Sequence, residues 1–240
     1  MNEQFSGNVV LVAGGTGALG RAVSLAFLEQ GAKVVVTYRN PKELEELKRA
    51  AAAYAAAFTG QEVDVTDEAA MKRLVQGIVT EHGRLDVVVN TVGAFAGGGK
   101  LWEEDSKVFE QMLAANLRSG YAISRAVVPH MLKEKPLKQN RGVFINIASR
   151  AAVDHAAGIA SYAASKAAAV ALMDSLAAEL KDTGVRVNSV LPTIIDTPAN
   201  RKAMPKADFA QWPKPEEIAR VILFLASDDA KLIHGESISV

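Results

Sequence analysis

Residues 9–20 read VVLVAGGTGALG, a short β-branched run that ends in a glycine-rich turn. A run of this composition is typical of a strand buried on both faces, and the helical pattern that follows begins at about Ala18. Glycines in such a turn let the backbone approach a pyrophosphate, while the helix N-terminus offers it unpaired N–H groups. Such turns also serve tight packing alone, so the position directly after the first strand is what favours a dinucleotide site.

The same alternation of strand and helix continues along the chain. Strands are predicted at residues 8–13, 33–37, 61–65, 85–90, 142–148, 185–191 and 236–240. Helices are predicted at residues 18–30, 66–82, 103–133, 159–181 and 215–227, with a further one that begins at Pro41. Regular alternation means parallel strands joined by right-handed crossovers. We therefore expect one α/β domain over residues 1–240: a Rossmann-type, doubly wound parallel sheet of about seven strands with helices on both faces.

Composition and charge exclude several classes of protein. The 240 residues carry 27 basic and 27 acidic side chains, so no net field attracts nucleic acid or an anionic membrane. The chain has no cysteine, which excludes disulfides and cysteine-ligated metals, and its four histidines have no metal-binding spacing. The longest wholly apolar run, residues 50–58, is too short for a membrane span, and the N-terminus lacks a signal-peptide pattern. We expect a cytoplasmic protein without a metal site.

The end of the second strand in this fold usually contacts the adenosine ribose of a bound dinucleotide. Here it reads Thr37, Tyr38, Arg39, so a guanidinium stands where an acidic residue would bind the 2′-hydroxyl. Arg39 favours NADP(H) over NAD(H), because a guanidinium pairs with a 2′-phosphate; a solvated surface arginine is the alternative. Asp64, at the end of the third predicted strand, suits either the adenine amino group or the cap of the next helix.

Four polar residues form the candidate catalytic group. Tyr162 and Lys166 are four residues apart in a predicted helix and therefore share one face. An ammonium at Lys166 would lower the pKa of the Tyr162 phenol and make it usable as an acid or base near neutrality. Ser149 follows the fifth predicted strand, at the ligand-binding edge of the sheet, where its hydroxyl can donate to a carbonyl. Asn116 lies in the preceding helix, where an amide often bonds only to backbone.

These motifs, in this order, resemble the short-chain dehydrogenase/reductase family along nearly the whole chain. The residues that match its glycine turn, its adenine-side Asp, its segment after the fourth strand and its catalytic tetrad are Gly14, Gly20, Asp64, Asn90, Gly93, Asn116, Ser149, Tyr162 and Lys166. The resemblance implies that Tyr162 is the proton donor and that Ser149 orients the reacting group. It also implies that Lys166 holds the nicotinamide ribose and that Asn116 holds a water of the proton relay.

The resemblance extends to the cofactor contacts and to assembly. The residues expected to bind the dinucleotide are Gly14, Thr16, Gly17, Leu19, Gly20, Tyr38, Arg39, Asp64, Val65, Asn90, Gly93, Tyr162, Lys166, Pro192, Thr193 and Ile195. Two departures from the family pattern are Ala18, in place of the middle glycine, and Thr193, in place of the glycine after Pro192. The helices that carry Asn116 and Tyr162 are the family's usual subunit contact, which implies a homodimer or homotetramer.

Three functions remain open at this point. The first is an NAD(P)(H)-dependent oxidoreductase that acts on a small carbonyl or alcohol substrate. The second comes from residues 14–20, 96–98 and the irregular substrate loop 192–214, which resemble dihydropteridine reductase; Phe95, Phe209 and Trp212 would then border a flat pterin. The third is a nucleotide sensor that keeps the fold without turnover. The tyrosine and lysine of the tetrad are both retained, which counts against a sensor.

Overall fold

Parallel pairing joins neighbouring strands throughout the sheet. Across residues 3–133 and 142–240, which the computed structural model describes, the strands are β1 (Val9–Ala13), β2 (Lys33–Tyr38), β3 (Phe58–Glu62), β4 (Val87–Asn90), β5 (Gly142–Ile147), β6 (Val185–Leu191) and β7 (Ser237–Ser239). Their order in the sheet is β3-β2-β1-β4-β5-β6-β7. The strand order therefore reverses between β1 and β4, and open α/β sheets bind their ligands at such a switch point.

Helices cover both faces of this sheet. They are α1 (Ala18–Glu29), α2 (Pro41–Ala50), α3 (Glu68–His82), α4 (Ser106–Leu113), α5 (Ser119–Met131), α6 (Ala151–Asp154), α7 (Ala160–Glu179), α8 (Pro198–Ala203) and α9 (Pro215–Ala226). On one face α1, α2 and α9 pack with Val10 and Val12 of β1. On the other face α3, α5 and α7 pack with Val9 and Leu11. The predicted doubly wound fold is confirmed.

The third strand lies three residues earlier than the sequence pattern predicts. It spans Phe58–Glu62 rather than residues 61–65, and its side chains are only partly buried because it forms the edge of the sheet. Leu44 of α2 packs directly over Gly60, where a Cβ atom would lie 2.5 Å from Leu44 Cδ1. A half-covered strand with glycine at its centre lacks the apolar run that identifies its neighbours.

This shift changes the setting of Asp64, which lies two residues beyond the end of β3. Its Oδ1 accepts hydrogen bonds from the backbone N–H of Thr66 at 2.9 Å and from the Thr66 hydroxyl at 2.7 Å. Asp67 is the residue that caps α3, with Oδ1 2.8 Å from the backbone nitrogen of Ala69. Capping of α3 by Asp64, one of the two predicted roles, is therefore wrong.

The long helix predicted at residues 103–133 is divided into three parts. A 3-10 turn at Leu101–Glu103 comes first, and α4 begins only at Ser106. A π-helical segment, Ala114–Arg118, then separates α4 from α5. Because a π turn holds an extra residue, it changes the direction in which side chains leave the helix, and Asn116 lies buried within it.

The predicted loop at residues 192–214 contains helical turns as well as irregular chain. Thr197 caps α8 by accepting from the backbone nitrogen of Asn200 at 3.2 Å, and a 3-10 turn forms at Phe209–Gln211. Within residues 3–133 and 142–240, no helix combines the length and apolarity that crossing a bilayer requires.

Candidate active site

The glycine-rich turn between β1 and α1 depends on backbone conformations and distances that side chains would prevent. Gly14 has φ +74°, and its N–H donates to Thr37 Oγ1 at 2.9 Å, which joins the turn to the end of β2. A Cβ atom at Gly20 would collide with the Gly14 carbonyl oxygen. Gly17 is the N-cap of α1 and has no side chain to accept from the first-turn N–H groups. These groups are thus available to an anionic ligand.

A cavity of about 300 Å³ lies beside this turn. The predicted cofactor residues that line it are Gly14, Thr16, Gly17, Tyr38, Arg39, Asp64, Val65 and Gly93. The cavity thus extends from the end of β2 to the segment after β4, across the switch point of the sheet. The backbone donors at the N-terminus of α1 fit the pyrophosphate of a dinucleotide, and the guanidinium at the end of β2 fits its adenosine part. The small residues leave space for the ligand between them.

Three other predicted cofactor residues lie behind the residues that line the cavity and support them. Leu19 and Gly20 are buried in the first turns of α1, where Leu19 belongs to the core. Asn90, at the end of β4, donates from Nδ2 to Asn146 Oδ1 at 2.9 Å and accepts from the backbone nitrogen of Val92 at 3.2 Å. Asn90 therefore fixes the direction in which the chain leaves β4 toward Gly93.

The predicted contacts at residues 192–195 lie at the end of β6, outside the lining of the cavity. The Pro192 carbonyl accepts from the backbone nitrogen of Arg150 at 2.9 Å, which ties this segment to the chain after β5. Thr193 N–H donates to the carbonyl of Val240 at 2.9 Å, and Ile195 packs against the hydrophobic core. Their contacts with a dinucleotide remain predictions.

Asn116 connects the segment after β4 to the helix that carries the candidate catalytic tyrosine. Its Oδ1 accepts from the Ala94 nitrogen at 2.9 Å, and its Nδ2 donates to the Ala94 carbonyl at 3.0 Å. The same Nδ2 lies 2.9 Å from the hydroxyl of Ser165, which in turn donates to the carbonyl of Tyr162 at 2.7 Å. The Asn116 side chain thus positions two parts of the site at once.

Lys166 is fully buried close to this network. Its Nζ donates to the carbonyl of Ile147 at 3.0 Å, and a Cβ atom at Gly93 would lie 3.1 Å from the same Nζ. Burial disfavours the ammonium form and lowers the pKa of Lys166 to about 8. A side chain at position 93 would crowd the ends of the Asn116 and Lys166 side chains beside the chain that follows β4.

Tyr162 has a pKa above its ordinary value, because burial penalises the phenolate. A hydrogen bond with Ser149 acts in the opposite direction and offsets part of this rise. The rise is opposite to the lowering expected from the Tyr162–Lys166 spacing, since burial of the phenol dominates. The exposed ring of Phe95 packs edge-on against Tyr162, with centroids 4.9 Å apart and planes inclined at 74°.

Ser149 follows β5 by two residues and begins the turn that leads to α6. Its Oγ accepts from the backbone nitrogen of Ala151 at 3.2 Å. The adjacent Arg150 forms a bidentate pair with Asp154, at 2.8 Å and 3.1 Å. The Arg150 charge is thus paired with a carboxylate one helical turn away.

The aromatic residues considered for a pterin lie in two separate contacts. Phe95 packs on Tyr162, whereas Phe209 and Trp212 pack on each other with centroids 5.0 Å apart. The guanidinium of Arg201 lies 4.8 Å from the Phe209 centroid. One face of the Phe209 ring is therefore covered by a side chain of the same loop.

Two carboxylates near the site are absent from the sequence prediction. Glu43, on α2, lines the cavity beside Arg39. Its place three residues after the N-cap Asn40 is the spacing of a capping box, a signal that sequence alone contained. Glu104 accepts a hydrogen bond from the buried hydroxyl of Ser161, directly before Tyr162. The two residues are 57 positions apart in the chain, so no local sequence pattern predicts their hydrogen bond.

Comparison with known proteins places the chain among enzymes of one family. The family described as short chain dehydrogenase matches residues 8–208. The 3-oxoacyl-[acyl-carrier-protein] reductase FabG of Thermotoga maritima is 31% identical, covering 99% of this chain and 97% of its own. The 2,5-dichloro-2,5-cyclohexadiene-1,4-diol dehydrogenase LinX of Sphingobium indicum is 34% identical, covering 100% and 97%. The solved structure of ElxO with NADP bound is 27% identical, with a TM-score of 0.88 and coverage of 97% and 96%.

The fold, the glycine turn and the match over most of the length all indicate the same family. The chain belongs to the short-chain dehydrogenase family, and it is an oxidoreductase of the kind that works with a nicotinamide cofactor.

Proposed function

We propose that this protein interconverts a small carbonyl compound and its alcohol, with NADP(H) favoured over NAD(H) and Tyr162 as the acid/base. The observation that carries the proposal is the contact between Tyr162 and Ser149 at the carboxyl edge of the sheet, next to the fully buried Lys166. A phenol and a hydroxyl in contact offer two O–H groups to one carbonyl oxygen.

When bound, the nicotinamide supplies or accepts the hydride at the carbonyl carbon. In reduction, the Tyr162 hydroxyl gives its proton to the carbonyl oxygen while Ser149 holds that oxygen in place. In oxidation, the phenolate accepts the alcohol proton. Lys166 is mostly cationic below pH 8, and we propose that its ammonium, one helical turn from Tyr162, favours the phenolate against the opposing effect of burial. Asn116 keeps the chain after β4 and the Tyr162 helix at fixed separation.

Arg39 is the basis for the proposed preference for NADP(H). It lines the cavity at the end of β2, where the adenosine ribose of a dinucleotide lies in this fold. Arg39→Ala should weaken NADPH binding at least tenfold and change NADH binding little, because a guanidinium–phosphate pair is charge-assisted. Equal losses for both dinucleotides would show that Arg39 does not bind the phosphate.

The function is tested by following nicotinamide absorbance with NADPH and NADH over a panel of ketones, aldehydes and quinonoid dihydropterin. We expect turnover of carbonyl substrates and a loss of about 100-fold or more in Tyr162→Phe, with the dissociation constant for NADPH unchanged. Turnover retained in Tyr162→Phe would refute the assignment of the acid/base. Turnover of the pterin alone would favour the dihydropteridine-reductase alternative, and binding without any turnover the sensor alternative.

We also propose that the protein assembles as a homodimer or homotetramer through α5 and α7. Ala164 and Ala171 are exposed on α7, and Tyr121 on α5 is 40% exposed, which leaves small and apolar side chains for a partner helix. Ala164→Arg should lower the mass in solution measured by light scattering. An unchanged mass would place the subunit contact elsewhere.

A further inference from the structure

We propose that Glu43 opposes binding of the 2′-phosphate and thereby limits the preference for NADP(H) over NAD(H). The inference deepens the proposed cofactor preference and rests on it. Arg39 attracts the phosphate, whereas the carboxylate of Glu43, which lines the same cavity, repels it.

The position of Glu43 is held by hydrogen bonds at both carboxylate oxygens. Oε2 accepts from the hydroxyl of Thr16, in the glycine-rich turn, at 3.1 Å. Oε1 accepts from Nδ2 of Asn40, the N-cap of α2, at 3.2 Å. The carboxylate therefore bridges the turn after β1 and the helix after β2, the two segments that flank the phosphate-binding end of the cavity.

The charged side chains that line this cavity determine how strongly the Glu43 carboxylate affects the binding of a phosphate. Its described lining contains one guanidinium, Arg39, and two carboxylates, Glu43 and Asp64. The hydroxyl and N–H of Thr66 lower the pKa of Asp64, and the charge of Arg39 lowers it further, so Asp64 is anionic at neutral pH. A 2′-phosphate brings about two more negative charges into a cavity whose charged side chains already sum to one negative charge.

A ribose without the phosphate meets the opposite situation. Its 2′- and 3′-hydroxyls are donors, and a carboxylate is an acceptor that suits them. Glu43 thus stands four residues after Arg39 as a second determinant, and the two side chains act on the dinucleotide with opposite sign. The end of β2 has no carboxylate to bind the ribose hydroxyls, and Glu43, in the first turn of α2, takes that role.

The test measures dissociation constants for NADPH and NADH by isothermal titration calorimetry, a readout that does not depend on turnover. Glu43→Gln removes the charge and keeps the shape of the side chain. Glu46→Gln is the matched control, because Glu46 lies on the same helix, is outside the cavity lining and pairs with Arg21 at 3.7 Å. Thermal unfolding of each variant checks that the fold is retained.

We expect Glu43→Gln to bind NADPH at least about fivefold more tightly, the factor that two unit charges about 4 Å apart contribute in water. NADH should bind equally well or more weakly, and the gain for NADPH should shrink as salt is raised, because salt screens exposed charges. Glu46→Gln should leave the NADPH-to-NADH ratio of the wild type nearly unchanged.

Equal changes for both dinucleotides, or none, would overturn the role of Glu43. A gain in Glu43→Ala without one in Glu43→Gln would overturn it as well, since the effect would then come from the size of the side chain. If the wild type binds neither dinucleotide, the proposed function itself fails. If both bind and only the response of Glu43→Gln is missing, the proposed function stands and this inference does not.

Discussion

The carboxylate of Glu104 accepts a hydrogen bond from the buried hydroxyl of Ser161 and so ties the segment after β4 to the helix that presents Tyr162. The residues between Gly93 and Glu104 include the exposed Phe95 and Trp102, and Phe95 contacts the ring of Tyr162. Together with the bonds of Asn116 to Ala94, this hydrogen bond helps to hold the segment that places Phe95 beside Tyr162.

Replacement of Glu104 should loosen that segment without touching the reacting atoms. We expect Glu104→Ala, which removes the acceptor of the Ser161 hydroxyl, to raise the KM for the carbonyl substrate about threefold to tenfold, with kcat and the dissociation constant for NADPH nearly unchanged. Glu103→Ala is the control, since Glu103 is exposed and pairs only distantly with Lys100, at 3.9 Å. Identical kinetics of the two variants would show that the contact with Ser161 has no bearing on substrate binding.

Asn116 should contribute to stability and to function together. Asn116→Ala leaves the N–H and carbonyl of Ala94 without their partner, and because these groups are only part-buried we expect the free energy of unfolding to fall by about 1–2 kcal/mol. Asn188→Ala is the matched control, because this buried amide likewise bridges backbone groups, those of Ile233 and Glu236, away from the tetrad. Urea unfolding should give similar losses, whereas only Asn116→Ala should lower turnover.

The buried lysine should give the protein an unusual dependence of stability on pH. The pKa of Lys166 falls from 10.5 to about 8 on folding. Between these values the unfolded chain holds a proton that the folded protein has released, so the free energy of unfolding rises with pH. Relative to Lys166→Met, the wild type should gain about 1 kcal/mol per pH unit between pH 8.5 and 10. A difference that stays flat over this range would mean that the amine is not depressed.

Phe95 should affect recognition of ring-shaped substrates. An aromatic ring that packs edge-on to Tyr162 and remains 66% exposed offers a face to an aromatic aldehyde or ketone. Phe95→Ala should raise the KM for an aromatic carbonyl about fivefold and leave that for a small aliphatic ketone unchanged. Phe224→Ala, an exposed phenylalanine on α9, provides the comparison. Equal effects of Phe95→Ala on both substrates would contradict a stacking role.

Sequence reasoning was sufficient where one local pattern determines one element. The run before Gly14 and the β-branched segments of β2, β4, β5 and β6 are buried on both faces, so their apolar composition identified them. It misplaced β3 by three residues, because this partly buried edge strand has glycine at its centre and lacks an apolar run. It also gave the wrong direction for the pKa of Tyr162, since helical spacing shows which residues are neighbours but not how deeply they are buried.

The candidate site divides in the same way. Its residue types and order were predictable from sequence, and eight of the predicted cofactor residues line one cavity. Glu104 was missed because its partner Ser161 is distant in the chain, and for Glu43 the local spacing from Asn40 indicated a helix start but not the contact with the distant Thr16. Pairings of this kind depend on how the helices are placed on the sheet, which no local periodicity specifies.

The π-helical segment at Ala114–Arg118 has a consequence for insertions and deletions in this chain. An extra residue in a helical turn is equivalent to a one-residue insertion, and each residue of an α-helix rotates its side chains by about 100°. The wide turn already absorbs this residue, so deleting Ala115 would restore a regular helix and leave α4 and α5 in nearly the same mutual orientation. It would, however, move Asn116 out of the position from which it bonds Ala94 and Ser165. The effect of a deletion here is thus confined to the turn that carries Asn116, whereas most substitutions on the exposed side of the same helices leave that turn intact.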